Sequence, residues 1–124
     1  MKTIDKAKLC LSIINERKAL DPILFHVEGL TSIADYFIIA SGNSSRQVQA
    51  IAGHLEKTMR EKGLKPGGVE GGQEGHWVLL DYGDVIIHIF YQPYREFYDL
   101  EGLWIDAARI DMDEPPGTPK DLSK

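Results

Sequence analysis

The chain has 124 residues, a length that fits one domain, and 43% of them are hydrophobic, which is enough for a core. No apolar run approaches the ~20 residues of a membrane span, and the N-terminus lacks the apolar block of a signal peptide, so we expect a cytosolic protein with no membrane partner. A net charge of −5 argues against direct nucleic-acid binding, which requires a basic surface.

The first predicted element is a helix from about Asp5 to Ala19, because apolar residues recur at helical spacing before Asp21-Pro22 ends it. Cys10 lies on this apolar stripe, and we expect it to be a buried packing residue. Since it is the only cysteine, we expect neither an intrachain disulfide nor a cysteine metal cluster.

Two strands and a second helix follow. Ile23 to Glu28 alternates between two faces, and Tyr36 to Ala40 is the nearly unbroken apolar run of a central strand covered on both faces. Ser44 and Gln47 form a capping-box pattern at the start of a helix. The predicted buried stripe of that helix is Val48, Ile51, Ala52, Leu55 and Met59.

The second half begins with a glycine-rich stretch from Pro66 to Gly72, which predicts a flexible surface loop with at most a short edge strand. Trp77 to Asp81 and Asp84 to Phe90 predict two strands, joined by Tyr82-Gly83 as a hairpin turn. Tyr94 to Trp104 predicts one helix, opened by the preceding proline.

This order of elements predicts an α/β fold, with a mixed β-sheet flanked by helices, in one domain of residues 1–110. From Asp111 onward, three prolines and mostly polar residues predict a flexible, Pro-rich C-terminal tail over residues 111–124.

Charge is distributed unevenly along the chain. Between Glu70 and Glu101, seven acids oppose the single base Arg95, which gives −6, whereas the remaining twelve acids and thirteen bases give +1. The acidic half indicates either a contribution to solubility or electrostatic steering toward a basic partner.

Two groups of residues could carry enzyme chemistry. Ser41 to Ser45 joins a strand to a helix N-terminus and could bind a phosphate, although helix capping also explains its serines. Asp81 and Asp84 flank the hairpin turn and could clamp magnesium or serve as ordinary turn residues. A nucleotide-binding or nucleotidyltransferase-type enzyme is therefore the alternative function. No histidine pair has zinc spacing, so no metal and no cofactor is predicted.

Aromatic residues are concentrated in the C-terminal half. Eight of the eleven lie between Trp77 and Trp104. Interface hot spots favour Trp, Tyr and Arg, whereas the simpler explanation is that such residues fill the core. We expect Phe90 and Phe97 to be core residues.

Four residues with polar tips are too many to bury together: Tyr91, Tyr94, Arg95 and Tyr98. Tyr94 and Tyr98 would share one helix face, and Arg95 could pair with Asp99 four residues later. This segment therefore predicts an aromatic, acidic surface that binds a basic protein.

Three motifs, in order and spacing, closely resemble the bacterial ribosomal silencing factor family, also called the Iojap family. They are Thr31 to Arg46, Gly68 to Gly71, and the segment WVLLDYGDVIIHIF from Trp77 followed by YREFYDLEGLW from Tyr94. The resemblance runs from about Ile4 to Ala107 and leaves the tail outside.

The resemblance implies a nucleotidyltransferase-like topology without catalytic residues. It also implies a partner, the basic large-subunit ribosomal protein numbered fourteen. Bound there, such a factor would sterically block subunit joining and lower translation when nutrients are scarce. No catalytic residue is expected, and Phe90, Leu100 and Trp104 are expected to pack. The predicted partner-binding residues are Trp77, Asp81, Asp84, His88, Tyr94, Arg95, Tyr98 and Glu101.

Self-association is a further possibility, because such a patch could be self-complementary in a two-fold homodimer. For the ribosome-binding hypothesis, we expect Tyr98→Ala or Arg95→Glu to weaken binding to the large subunit without unfolding the domain.

Overall fold

A computed structural model describes residues 1–110, and the predicted tail at residues 111–124 lies outside the described residues. Helices and strands alternate broadly as the sequence predicts. The helices are α1 (Thr3–Asn15), α2 (Ser45–Glu61), α3 (Gln92–Tyr98) and α4 (Leu100–Leu103). The strands are β1 (Leu20–His26), β2 (Tyr36–Gly42), β3 (Gly68–Glu70), β4 (Trp77–Asp81), β5 (Val85–Tyr91) and β6 (Ala108–Arg109).

The strands form one mixed sheet in the order β3-β4-β5-β2-β1-β6. Its centre is the parallel pair β2 and β5, and the other neighbours are antiparallel. Both central strands are almost wholly buried, as their unbroken apolar sequences predict. β6 was not predicted, because a two-residue strand is too short to show a periodic pattern.

Helices α1 and α2 cover one face of the sheet. The predicted stripe of α2 is buried as expected, and the Ser44 hydroxyl accepts a hydrogen bond from the Gln47 amide at 3.1 Å, which confirms the cap. Cys10 is also buried in this layer, and desolvation raises the pKa of its thiol to about 12. No helix among residues 1–110 is long and apolar enough to cross a membrane.

The opposite face carries a second core around Phe25, Phe37 and Phe90, covered by α3, α4 and Trp104. The predicted single helix from Tyr94 to Trp104 is wrong, because Asp99 adopts a left-handed backbone conformation (φ 45°) and separates α3 from α4. Asp is among the few residues that tolerate this conformation, so the break leaves little trace in the sequence.

The glycine-rich segment before β4 contains the short edge strand that the sequence predicts, β3, and specific contacts attach the segment to the rest of the fold. Gly71 has φ +80°, and a Cβ atom there would lie 2.0 Å from the Trp77 carbonyl oxygen. The Gln49 side chain of α2 donates to the carbonyls of Gly72 and Gln73 at 3.0 and 2.8 Å. The loop therefore fixes the position at which β4 begins.

Candidate functional site

A group of partly exposed rings lies where β4 begins and β5 ends. We call it the aromatic patch and define it as His76, Trp77, Tyr94, Phe97 and Tyr98. His76 stacks on Tyr94 with ring centroids 4.4 Å apart, and Trp77 lies 5.0 Å from Tyr98. Tyr98 in turn meets Phe97 edge-on at 5.2 Å. The patch thus joins a strand to α3 through ring contacts.

Exposure within the patch is highest on α3, where Phe97 is 79% and Tyr98 is 49% exposed. The expectation that Phe97 fills the core is therefore wrong. Its place on the helix explains why: Phe97 is two residues from the buried Arg95, and two residues turn a helix by about 200°. Tyr94 and Trp77 are half-buried beside them.

Acidic side chains lie beside the aromatic patch, on the approach to β4 and on α3. Glu96 and Asp99 are exposed on and beside α3, and a Glu74 carboxylate oxygen lies 3.7 Å from a ring nitrogen of His76. The rim of the patch is therefore negative, while its centre consists of rings. This is the combination that the sequence predicts for a surface that meets a basic protein.

Trp77 is anchored from beneath. It pairs with Phe90 across β4 and β5, and the two rings stack at 4.9 Å. Its indole N–H donates to Nδ1 of His88 at 3.1 Å. The indole is thus held by a hydrogen bond and a stacking contact on one side, while Tyr98 lies against it on the other.

His88 is only 6% exposed, so it lies beneath the patch, whereas the sequence predicts a partner-binding residue there. Since its Nδ1 accepts from Trp77, the ring is neutral, with its proton on Nε2. Desolvation lowers the pKa of His88 from 6.5 to about 4. His88 therefore holds the Trp77 indole in place from beneath the patch.

The burial of His88 predicts acid sensitivity. In the unfolded state His88 takes up a proton below about pH 6.5, whereas in the folded state it does so only near pH 4. The free energy of unfolding therefore decreases by up to about 3 kcal/mol as the pH falls between these values. Urea unfolding of the wild type and of His88→Leu should be measured at pH 7 and at pH 4.5. The decrease in the free energy of unfolding between the two pH values should be smaller in the variant. His26→Gln, which changes a partly exposed histidine, is the control. Equal losses in wild type and His88→Leu would contradict the prediction.

Arg95 is 6% exposed and lies at the centre of a polar network, which corrects its predicted place on the surface. Its Nε donates to Glu101 at 2.7 Å, and its Nη1 donates to the Ser41 hydroxyl at 2.8 Å and to the Leu20 carbonyl at 3.3 Å. The predicted pair with Asp99 is wrong, because the break at Asp99 redirects the chain so that Glu101 faces the guanidinium instead.

This network ties α3 and α4 to strands β1 and β2. The Glu101 side chain is 26% exposed, so one edge of the ion pair reaches solvent. Leu100 and Trp104 pack beside it in the second core, as predicted, and Trp104 meets Phe37 edge-on at 5.0 Å. Arg95 and Glu101 therefore set the orientation of the aromatic patch.

The two aspartates serve the fold locally. Asp81 accepts from the Gly83 amide at 2.8 Å within the hairpin turn. Asp84 accepts from the Thr3 hydroxyl at 2.6 Å and contacts Lys6 at 2.5 Å, which attaches α1 to the sheet. Asp81 points to the same face as Trp77, but the two residues are four positions apart along β4, roughly 13 Å.

Four residues of the alternative enzyme hypothesis, Ser41, Ser44, Asp81 and Asp84, have intramolecular partners. Ser41 is buried against Arg95, Ser44 caps α2, and the aspartates are bonded as described. Among residues 1–110, no group of three or more His, Cys, Asp or Glu side chains is arranged to hold a metal ion. These residues have structural roles that account for their presence.

Sequence reasoning missed three contributors to this region: His76, the exposure of Phe97, and Ser41 as a partner of Arg95. His76 could have been found from its place beside Trp77 at the start of a strand. The Ser41–Arg95 contact joins residues 54 positions apart, and no local pattern signals it.

Comparisons with known proteins agree with this architecture. The family described as "Ribosomal silencing factor during starvation" matches residues 1–124. This corrects the expectation that the likeness stops near Ala107. Two proteins named ribosomal silencing factor RsfS are similar: one from Bacillus subtilis, 41% identical over 86% of this chain and 90% of its own, and one from Halalkalibacterium halodurans, 37% identical over 91% and 97%.

A solved structure has the same fold. The crystal structure of a protein from Chromobacterium violaceum superposes with a TM-score of 0.83 at 33% identity, covering 96% of this chain and 98% of that one. Family match, relatives and solved fold all agree with the resemblance that the three sequence motifs predict. The chain therefore belongs to the ribosomal silencing factor family.

Proposed function

We propose that this protein represses translation in the cytoplasm by binding the large ribosomal subunit and keeping the small subunit from joining it. The observation that carries the proposal is the aromatic patch, where Tyr98 and Phe97 are exposed on a rigidly held helix within an acidic rim. The named relatives are silencing factors, so a regulatory role is the one that their names support.

The expected partner is a basic ribosomal protein, the large-subunit protein numbered fourteen. The surface of a ribosome is mostly RNA, a polyanion that repels the acidic rim of the patch. A basic protein on that surface attracts the same rim, so charge favours this kind of partner. Exposed rings at the centre of the patch would supply the apolar contact area.

Burial and position divide the predicted partner-binding residues into three groups. Trp77, Tyr94 and Tyr98 are at least partly exposed and are assigned to contact. His88, Arg95 and Glu101 lie beneath the patch or at its edge and are assigned to positioning. Asp81 and Asp84 lie at the hairpin turn, away from the patch, and are assigned to the fold.

Occlusion requires no chemistry from this chain. A domain of residues 1–110, seated on the intersubunit face, would occupy space that the small subunit needs. A homodimer through the same patch would compete with the ribosome for these rings.

The test uses purified subunits and the full chain. Wild-type protein should co-sediment with large subunits and not with small subunits, and should lower the yield of joined ribosomes in proportion to its concentration. Contact with the ribosomal protein numbered fourteen is tested by binding to that protein alone. Co-sedimentation without any effect on subunit joining would overturn the occlusion mechanism.

A further inference from the structure

Residues 1–110 carry a net charge of −3, which is the sum of two parts of opposite sign. Helices α1 and α2 with their flanking residues, 1–18 and 45–62, contain nine bases and four acids, or +5. The rest of residues 1–110 contains three bases and eleven acids, or −8. The helices cover one face of the sheet, and the aromatic patch lies on the other. The molecule therefore carries a basic layer opposite its acidic one.

Four of these bases form a line, which we call the basic strip: Arg17, Lys18, Arg46 and Lys57. All four are exposed, and none has an ion-pair partner among residues 1–110. Arg17 and Lys57 line one open groove of about 480 Å³ between the end of α1 and α2. The Lys18 carbonyl accepts from the side chain of Gln47, which places Lys18 next to Arg46 at the start of α2.

The floor of the groove is formed by small residues. Arg46, Ala50, Gly53 and Lys57 follow one another at intervals of four, three and four residues, so they share one face of α2. A Cβ atom at Gly53 would meet nothing within 4 Å, so packing within the domain does not require glycine there. Glycine lowers helix stability, yet here it leaves the strip open to close approach from outside.

The carboxylates near the basic strip do not cancel its positive charge. Glu16 is engaged by His54 at 2.7 Å, and Glu61 lines the groove at the C-terminal end of α2. Glu56 pairs with Arg60 at 3.2 Å, away from the groove. The four bases of the basic strip are thus free to meet an anionic partner.

We propose that the basic strip is a second docking surface, which binds the phosphate backbone of ribosomal RNA beside the protein partner. The proposal rests on the proposed function, since the large subunit to which the aromatic patch would dock offers a basic protein and a polyanion side by side. Arg and Lys along an open groove suit a phosphodiester backbone, and the contact would be sequence-independent. Two faces of opposite charge would then fix the orientation of the domain on the subunit.

The direct test locates the partner by cross-linking. Lys57→Cys, labelled with a thiol-reactive photocrosslinker, is bound to purified large subunits and irradiated. Cys10 is buried, so labelling is confined to position 57. We expect cross-links to ribosomal RNA, and fewer from Lys65→Cys, which lies in the loop after α2. Cross-links from position 57 to a ribosomal protein, or none, would overturn the proposal.

A second test measures salt dependence. Arg17→Glu/Lys57→Glu should weaken large-subunit binding on the order of tenfold at 0.1 M salt and reduce the slope of log affinity against log salt by about 1.5. Lys2→Glu/Lys65→Glu makes the same charge change off the strip and should have a smaller effect. Gly53→Gln should also weaken binding without lowering the melting temperature.

The two proposals fail in different ways. If the strip variant loses affinity for the isolated ribosomal protein as well, the strip touches protein, and the RNA assignment is wrong. If the strip variant binds large subunits with wild-type affinity and a wild-type salt slope, the basic strip does not dock. The proposal for the aromatic patch is unaffected by that result. If wild-type protein binds neither large subunits nor the ribosomal protein, both proposals are overturned.

Discussion

Replacing Arg95 by glutamate is expected to destabilise the domain by about 3–5 kcal/mol. Arg95 is 6% exposed and holds Glu101, the Ser41 hydroxyl and a carbonyl of β1 together. The substitution removes these donors and leaves two carboxylates facing each other in a site that reaches solvent only at the Glu101 edge. Because both are acceptors, neither satisfies the other, and each raises the cost of burying its neighbour.

Urea unfolding at pH 7 checks this expectation, and the midpoint should fall by roughly 2 M. Arg46→Glu makes the same charge change at an exposed position and should leave the midpoint nearly unchanged. Arg95→Met/Glu101→Leu removes both charges and should recover much of the stability lost in Arg95→Met, because no unpaired buried charge remains. A wild-type midpoint for Arg95→Glu would show that the network contributes nothing.

The expected destabilisation by Arg95→Glu reverses one expectation drawn from the sequence. There, Arg95 stands beside Tyr94 and four residues before Asp99, and Arg95→Glu is expected to weaken binding while leaving the fold intact. The buried position of Arg95 in the structure instead predicts that the same substitution first lowers the free energy of unfolding. Loss of ribosome binding by Arg95→Glu therefore cannot distinguish a lost contact from a lost orientation of α3.

The parts of the fold that the sequence predicted well are those dominated by periodic burial. The stripe of α2, the run from Tyr36 to Ala40, and the Ser44 cap depend on neighbours one turn or one pleat away. Residues close in sequence reveal such features directly. Periodicity does not indicate whether Asp81 and Asp84 are catalytic. The resemblance to the family does, because it implies a fold without catalytic residues.

The parts that could not be predicted depend on a single backbone angle and on distant contacts. Asp99 at φ 45° ends α3, and this turns Glu101 toward Arg95 and leaves Phe97 outward. In a continuous helix Arg95 would face Asp99, so helical spacing predicts that pair and not the pair with Glu101. Helix α3 packs against β5, which directly precedes it, and against β2, which lies far from it along the chain. The contact with β2 leaves no local pattern in the sequence.

Tyr98→Ala is expected to lower affinity for the large subunit about 30-fold or more, the typical cost of removing an interface hot spot of ~2 kcal/mol. Tyr98 is 49% exposed, and its buried half lies against Trp77. The loss of stability should therefore be about 1 kcal/mol, well below the loss for Arg95→Glu. Co-sedimentation and unfolding of the same preparation separate the two effects.

Two further variants identify what the ring contributes. Tyr98→Phe keeps the contact with Trp77 and should retain most of the affinity unless the hydroxyl bonds to the partner. Ile33→Ala truncates a side chain that is 66% exposed before β2, at the opposite end of the sheet from Trp77 and Phe90, and should bind as wild type does. Wild-type affinity in Tyr98→Ala would move the docking surface away from the aromatic patch. A loss confined to Tyr98→Ala, with stability preserved, would make α3 the element through which this fold meets the ribosome, held in position by the buried Arg95 beneath it.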